Sequence, residues 1–171
     1  MIYYVTYIKD RIGNNYLGIK IPNSTVEPFL KDLKEIIGEA DYNDFTENQI
    51  KRDNGSYHMT VINVMDYNKL AKDIGYDKFV NSLDSVLKYE IDDIKMMGIG
   101  TAERGGNRTY FIVCESDKLD AIRKRYELKE QDYNTITETK SEINTYKNIK
   151  KYFKNNEIPR YKIQNDTIEK I

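Results

Sequence analysis

Polar and apolar residues alternate through Ile2–Lys9 and again through Tyr16–Ile21, on either side of the turn-forming Gly13-Asn14-Asn15, and this predicts a β-hairpin. Pro22-Asn23-Ser24 closes the second strand, and Ser24 with Glu27 three residues later reads as a capping box. Val26, Phe29, Leu30, Leu33, Ile36 and Ile37 then keep helical spacing until Gly38 stops the helix. From Tyr42 to Gly55 the chain is polar and mixed. It reads as loop, with at most a short helix through Asn48 and Ile50, and it ends in Asp53-Asn54-Gly55. Alternation returns over Ser56–Val64, where a period of two places His58, Thr60, Ile62 and Val64 on one face.

The second half echoes the first. Two helical patterns, Asp66–Ile74 and Tyr76–Leu87, are parted by Gly75. Ile91–Glu103 and Arg108–Glu115 read as strands around Arg104-Gly105-Gly106-Asn107, a strong hairpin signal. Ser116 or Asp117 caps a helix whose apolar residues are Leu119, Ile122 and Tyr126, and a further strand follows over Asp132–Glu138. The order is ββα-β-αα, then ββα-β, as a duplicated unit would give. Lys147–Lys154 is basic with interleaved aromatics and reads as a solvated helix packing Ile149 and Phe153.

Composition narrows the picture. A length of 171 residues suits one domain or two small lobes, and 39% hydrophobic residues set the chain well above a disordered composition. A net charge of -1 gives no global attraction to nucleic acid or anionic membrane, so any anion site must be local. The single cysteine, Cys114, follows Phe111-Ile112-Val113 and reads as a buried structural thiol, unable to form an internal disulfide. No spacing of His and Cys offers a zinc site, and no cofactor is expected. Asp10 and Arg11 argue against a signal peptide and no apolar run could span a membrane, so a soluble cytoplasmic protein without membrane partners is expected. Most of the 15 tyrosines read as half-buried core.

His58 is the only histidine. A histidine and a hydroxyl side by side on a strand can handle a proton and hold a phosphoryl oxygen at once. The strand Asp132-Tyr133-Asn134-Thr135-Ile136 has the same shape as Tyr57-His58-Met59-Thr60, an aromatic residue followed by two polar or apolar positions one residue apart. It carries Asn134 and Ile136 where the first copy carries His58 and Thr60. Shifting the register by one would offer Thr135 and Thr137 instead, on the other face of the strand. The plainer alternative for a lone histidine in an alternating strand is an ordinary hydrogen-bonded core residue.

The chain resembles the 2H phosphoesterase superfamily, and within it the bacterial Swiss-army-knife RNA-repair-like proteins. The resemblance is carried by Tyr3-Tyr4-Val5-Thr6-Tyr7, Asn15–Pro22, Tyr57–Val64, Met97-Gly98-Ile99-Gly100, Ala102-Glu103-Arg104, Tyr110-Phe111 and Ser116–Leu119. It implies an α+β, bilobal fold: two pseudo-symmetric antiparallel sheets with flanking helices around a central cleft, each lobe supplying one His-x-Ser/Thr motif. It covers residues 1–148 as the domain and leaves 149–171 as a basic, aromatic extension. It also implies metal-independent handling of phosphodiesters such as 2′,3′-cyclic phosphates, RNA ends or cyclic nucleotides.

On that resemblance His58 and Thr60 form the first motif, as catalytic remnants or phosphate contacts, and Asn134 and Ile136 stand in the second. An amide does not titrate near neutral pH, so Asn134 cannot shuttle a proton. The expectation is a catalytically impaired protein that binds a nucleotide-type phosphodiester (a cyclic nucleotide, cyclic oligonucleotide or ADP-ribose-type signal) through Tyr57, His58, Thr60, Tyr133, Asn134 and Ile136. Sequestration of that ligand is one role it could serve. One alternative is an active phosphodiesterase or RNA-end-processing enzyme, pairing His58 with Tyr133, Tyr57 or a lysine. Another is a protein- or RNA-binding module whose cleft is filled.

Overall fold

The computed structural model describes residues 1–104, 107–128, 133–136, 160–164 and 167–170. The elements run β1 (Thr6–Lys9), β2 (Asn15–Ile21), α1 (Asn23–Ile37), α2 (Glu39–Asp53), β3 (Tyr57–Ile62), α3 (Val64–Ile74) and α4 (Tyr76–Leu87). They continue with β4 (Lys95–Arg104), β5 (Asn107–Glu115), α5 (Asp117–Arg125), β6 (Tyr133–Ile136), β7 (Arg160–Gln164) and β8 (Thr167–Lys170). The class is α+β, as expected, with one sheet ordered β1-β2-β3 and another ordered β6-β5-β4-β7-β8. The chain divides into two compact units. One takes Met1–Lys20, Met59–Ile94 and Ser116–Glu130, the other Ile21–His58, Lys95–Glu115 and Gln131–Ile171.

In the first unit, β1 and β2 form the expected hairpin, with Thr6 opposite Gly18 and Lys9 opposite Asn15. Asp10 ties its turn, accepting from the Ile12 N–H at 3.0 Å and the Asn14 N–H at 2.8 Å. Gly18 is required where β2 meets β3. A Cβ there would lie 2.5 Å from the Met59 carbonyl oxygen. Leu17, Ile19, Met59, Val61, Ile62, Phe79, Leu83 and Leu119 are fully buried. Tyr7, Tyr67, Phe79 and Tyr126 meet edge to face in succession, with ring centroids 5.0 to 6.3 Å apart. Arg123 is buried on α5, donating from Nη1 to the Val61 carbonyl at 2.6 Å and lying 3.7 Å from the Asp66 carboxylate.

In the second unit, Leu33 on α1 packs with Ile99 on β4 and Tyr110 on β5, joined by Phe29, Ile36, Ile37, Tyr42 and Phe45. Strands β4 and β5 pair antiparallel from Lys95 opposite Glu115 to Arg104 opposite Asn107. Strand β7 adds to β4 in parallel, Ile99 opposite Arg160, and β8 returns antiparallel along β7. These two strands fall within the segment 149–171, while the expected 148/149 boundary and the basic helix over Lys147–Lys154 lie outside the described residues. So do the hairpin glycines Gly105 and Gly106, and Asp132, Thr137 and Glu138 of the last expected strand.

Three local expectations are corrected. The capping box does not form. Helix α1 starts at Asn23 with Pro22 as its cap residue and no side-chain cap bond, and the Thr25 N–H instead bonds the Pro22 carbonyl at 3.0 Å. Proline's fixed φ sets the entry two residues ahead of Ser24. The polar stretch after Gly38 is a full helix, α2, not a loop. Its inner stripe is Tyr42, Phe45 and Gln49, two rings and an amide, so hydropathy alone misses it. Val64 does not continue the face of His58. The strand ends at Ile62, and Asn63 caps α3, accepting the Asp66 N–H at 2.8 Å.

Candidate functional site

His58 stands where it does because the chain reverses in three residues between α2 and β3. Asn54 takes the left-handed conformation at φ 54°, and Gly55 follows at φ 75°. The Ser56 hydroxyl donates to the Asp53 carbonyl at 2.7 Å. Gln49, only 1% exposed, donates from its side chain to the Ser56 carbonyl at 2.6 Å and ties the turn to the body of α2. The start of β3 is therefore bonded to the end of α2 on both sides of the turn.

Along β3 burial alternates. Tyr57, Met59 and Val61 are buried, while His58 and Thr60 are half-buried on the opposite face. Tyr57 thus turns its ring away from His58. Burial, then the nearby Tyr42 and Asp53, push its phenol up to about 12, far from the range in which it could exchange a proton at neutral pH. Cys114 is the inert thiol expected. It is fully buried and pushed up to about 12 by that burial.

Two charged residues missed by the sequence reading act on His58. At the end of α2, Arg52 donates from Nε to Asp53 Oδ2 at 2.7 Å, and its Nη2 contacts the same oxygen. Both side chains are only 16% exposed. Burial holds the His58 imidazole below its ordinary value. Asp53 opposes that shift and Arg52 adds to it. That balance favours the uncharged ring, which has one nitrogen to donate and one to accept. Arg52 and Asp53 were visible in the sequence only as the charged lead-in to a turn, and nothing in their spacing from His58 marks them.

The residues of the second expected motif lie in the other sheet. Tyr133, Asn134 and Ile136 are on β6, which runs antiparallel to β5 with Asn134 opposite Val113 and Tyr133 opposite Cys114. His58 and Thr60 are on β3 in the three-stranded sheet. Among the described residues, no three His, Cys, Asp or Glu side chains are grouped so as to hold a metal ion, and no helix is long and apolar enough to cross a membrane.

Comparison with known proteins points to one family. A family model described as Swiss Army Knife, 2H phosphoesterase domain, matches residues 16–151. That span runs from β2 through β6 and ends before β7. Neither the curated proteins nor the solved structures gave a match.

Proposed function

The chain belongs to the Swiss Army Knife 2H phosphoesterase family, and on that premise we propose that it binds a nucleotide-type phosphodiester on the His58–Thr60 face of β3 while turning it over poorly. The observation that carries this is the histidine count. Metal-free phosphodiester chemistry needs one group to take a proton from the attacking oxygen and another to give one to the leaving oxygen. His58 is the only imidazole in the chain, and Asn134 stands at the second motif.

Loss of one positioned acid or base costs ~10²–10⁴-fold in rate. Replacing the second hydroxyl by Ile136 removes a phosphoryl donor, worth roughly another 10²-fold. Binding suffers less, because a neutral imidazole and a threonine hydroxyl still donate to phosphoryl oxygens. The ligand class is a cyclic nucleotide, a cyclic oligonucleotide, an ADP-ribose-type signal or an RNA end. A protein that holds such a signal without destroying it would sequester it.

The test is calorimetry against mono-, di-, cyclic and ADP-ribose-type nucleotides, with turnover followed on the same samples. Binding is expected, weakened by ~1.5–3 kcal/mol in His58→Ala and Thr60→Ala, the value of a hydrogen bond to a charged group. Turnover above about 1 s⁻¹, the low end of ordinary enzyme rates, that vanishes in His58→Ala would make the protein a working phosphodiesterase instead. Absence of all nucleotide binding would favour a protein- or RNA-binding module.

A further inference from the structure

The Arg52–Asp53 pair is in an unusual place for a purely structural contact. Neighbours at i and i+1 on a helix do not face one another, so the pair forms only because α2 ends at Asp53 and Asn54 turns left-handed. A carboxylate at a helix C-terminus also meets the negative end of the helix dipole, where a cation is favoured and an anion is not. Arg52 suits that position and Asp53 does not. Both side chains are nonetheless 16% exposed, held beside the turn that starts the His58 strand. From α2, these two are the charged groups that act on His58 among the described residues.

We propose that Arg52 is a ligand-contacting residue and that the pair works as a proton switch: an anion bound at His58 draws the guanidinium from Asp53, and the released carboxylate together with the anion then holds a proton on the imidazole. The proposal deepens the phosphodiester-binding reading and rests on it for its ligand step. Its chemistry balances simply. One proton passes from solvent to the unprotonated imidazole nitrogen for each anion bound, and apart from that N–H bond no covalent bond changes. A guanidinium presents its donors as a planar fork that fits two phosphoryl oxygens at once. In the free protein the same fork neutralises Asp53, and burial keeps His58 uncharged. The three side chains would thus sum to no net charge when the site is empty and to a single positive charge, facing the anion, when it is filled.

The single histidine makes the test direct, because one imidazole resonance in the proton NMR spectrum belongs to His58. Without ligand, the His58 titration midpoint should rise in Arg52→Gln and fall in Asp53→Asn. An unmoved midpoint in both variants overturns the switch. With 2′,3′-cyclic AMP as probe, calorimetry in buffers of different ionisation enthalpy should show proton uptake on binding at pH 7. Asp53→Asn should reduce that uptake, and Arg52→Gln should weaken binding on the order of tenfold or more, the worth of a charge-assisted hydrogen bond. Arg52→Lys should recover part of the loss, since it keeps the charge without the fork. Binding that is indifferent to Arg52→Gln refutes the ligand contact and leaves the phosphodiester reading standing. If the midpoints move as stated but no probe of the nucleotide panel binds, the reading of the site fails, and the ligand step falls with it.

Discussion

Replacing Arg123 by methionine keeps most of the side-chain volume and removes the guanidinium, and the cost can be worked from its surroundings. Arg123 is 4% exposed, so the Val61 carbonyl it bonds at 2.6 Å has little water to turn to. A hydrogen bond to a charged donor contributes ~1.5–3 kcal/mol. The partner carboxylate, Asp66, is 29% exposed and lies 3.7 Å away, so solvent screens much of that attraction and it adds no more than about 1 kcal/mol. Burying a thioether in place of a charge returns some of the loss through removed desolvation. A net destabilisation of about 2–3 kcal/mol is expected for Arg123→Met. Urea denaturation followed by tyrosine fluorescence and far-UV circular dichroism measures it. The contact sits one residue beyond Thr60, so the proposed nucleotide binding should weaken as well, under conditions where the variant is folded. A variant within 0.5 kcal/mol of the parent, the range of an ordinary surface change, would refute the view that Arg123 fixes the end of β3.

Two other perturbations read the same region. Gly18→Ala places a methyl carbon 2.5 Å from the Met59 carbonyl, so β2 and β3 must part; a loss of ~1–3 kcal/mol is expected, seen as a lowered melting temperature that a glycine at the same position restores. The pH dependence follows from His58, whose folded value lies below the ordinary 6.5. As pH falls below about 6.5 the unfolded chain takes up a proton that the folded chain refuses, so stability is present above that pH and lost on acidification towards the folded value. The difference between parent and His58→Gln stability should therefore shrink as pH drops from 7 to 5.5, and a constant difference across that range would show that the imidazole is not held uncharged.

Much of the fold was legible because its signals were local. The β1–β2 hairpin, the α3–α4 break at Gly75, the β4–β5 hairpin and the Ser116 cap of α5 each rest on a turn residue or a repeat within one element. The misreadings came where local signals lied. Helix α2 has too few apolar residues to announce itself, and its burial of Gln49 depends on a hydrogen bond to Ser56 that no hydropathy pattern encodes. Ser24 and Glu27 match a capping box in letters, but Pro22 had already begun the helix. For the candidate site, His58 and Thr60 stood out by alternation, whereas Arg52 and Asp53 act electrostatically on the imidazole across the reversal at Asn54-Gly55, and such an influence leaves no periodic trace. Tyr57 looked like a stacking ring for want of a burial sign, and the structure turns it inward.

The parallel seam between β4 and β7 bears on how the molecule is made. Strand β4 meets β5, its neighbour two residues on in sequence, a contact available microseconds after both are free to move. Its other flank waits for Arg160–Gln164, which leaves the ribosome only after every other strand among the described residues but β8. For that interval a nascent chain presents Ile99–Glu103 as an open row of amides and carbonyls, the kind of edge that recruits strands from other chains. Release of chains stopped short of β7 should accordingly yield aggregates seeded at β4, and slowing synthesis over the last residues should lengthen the period of risk.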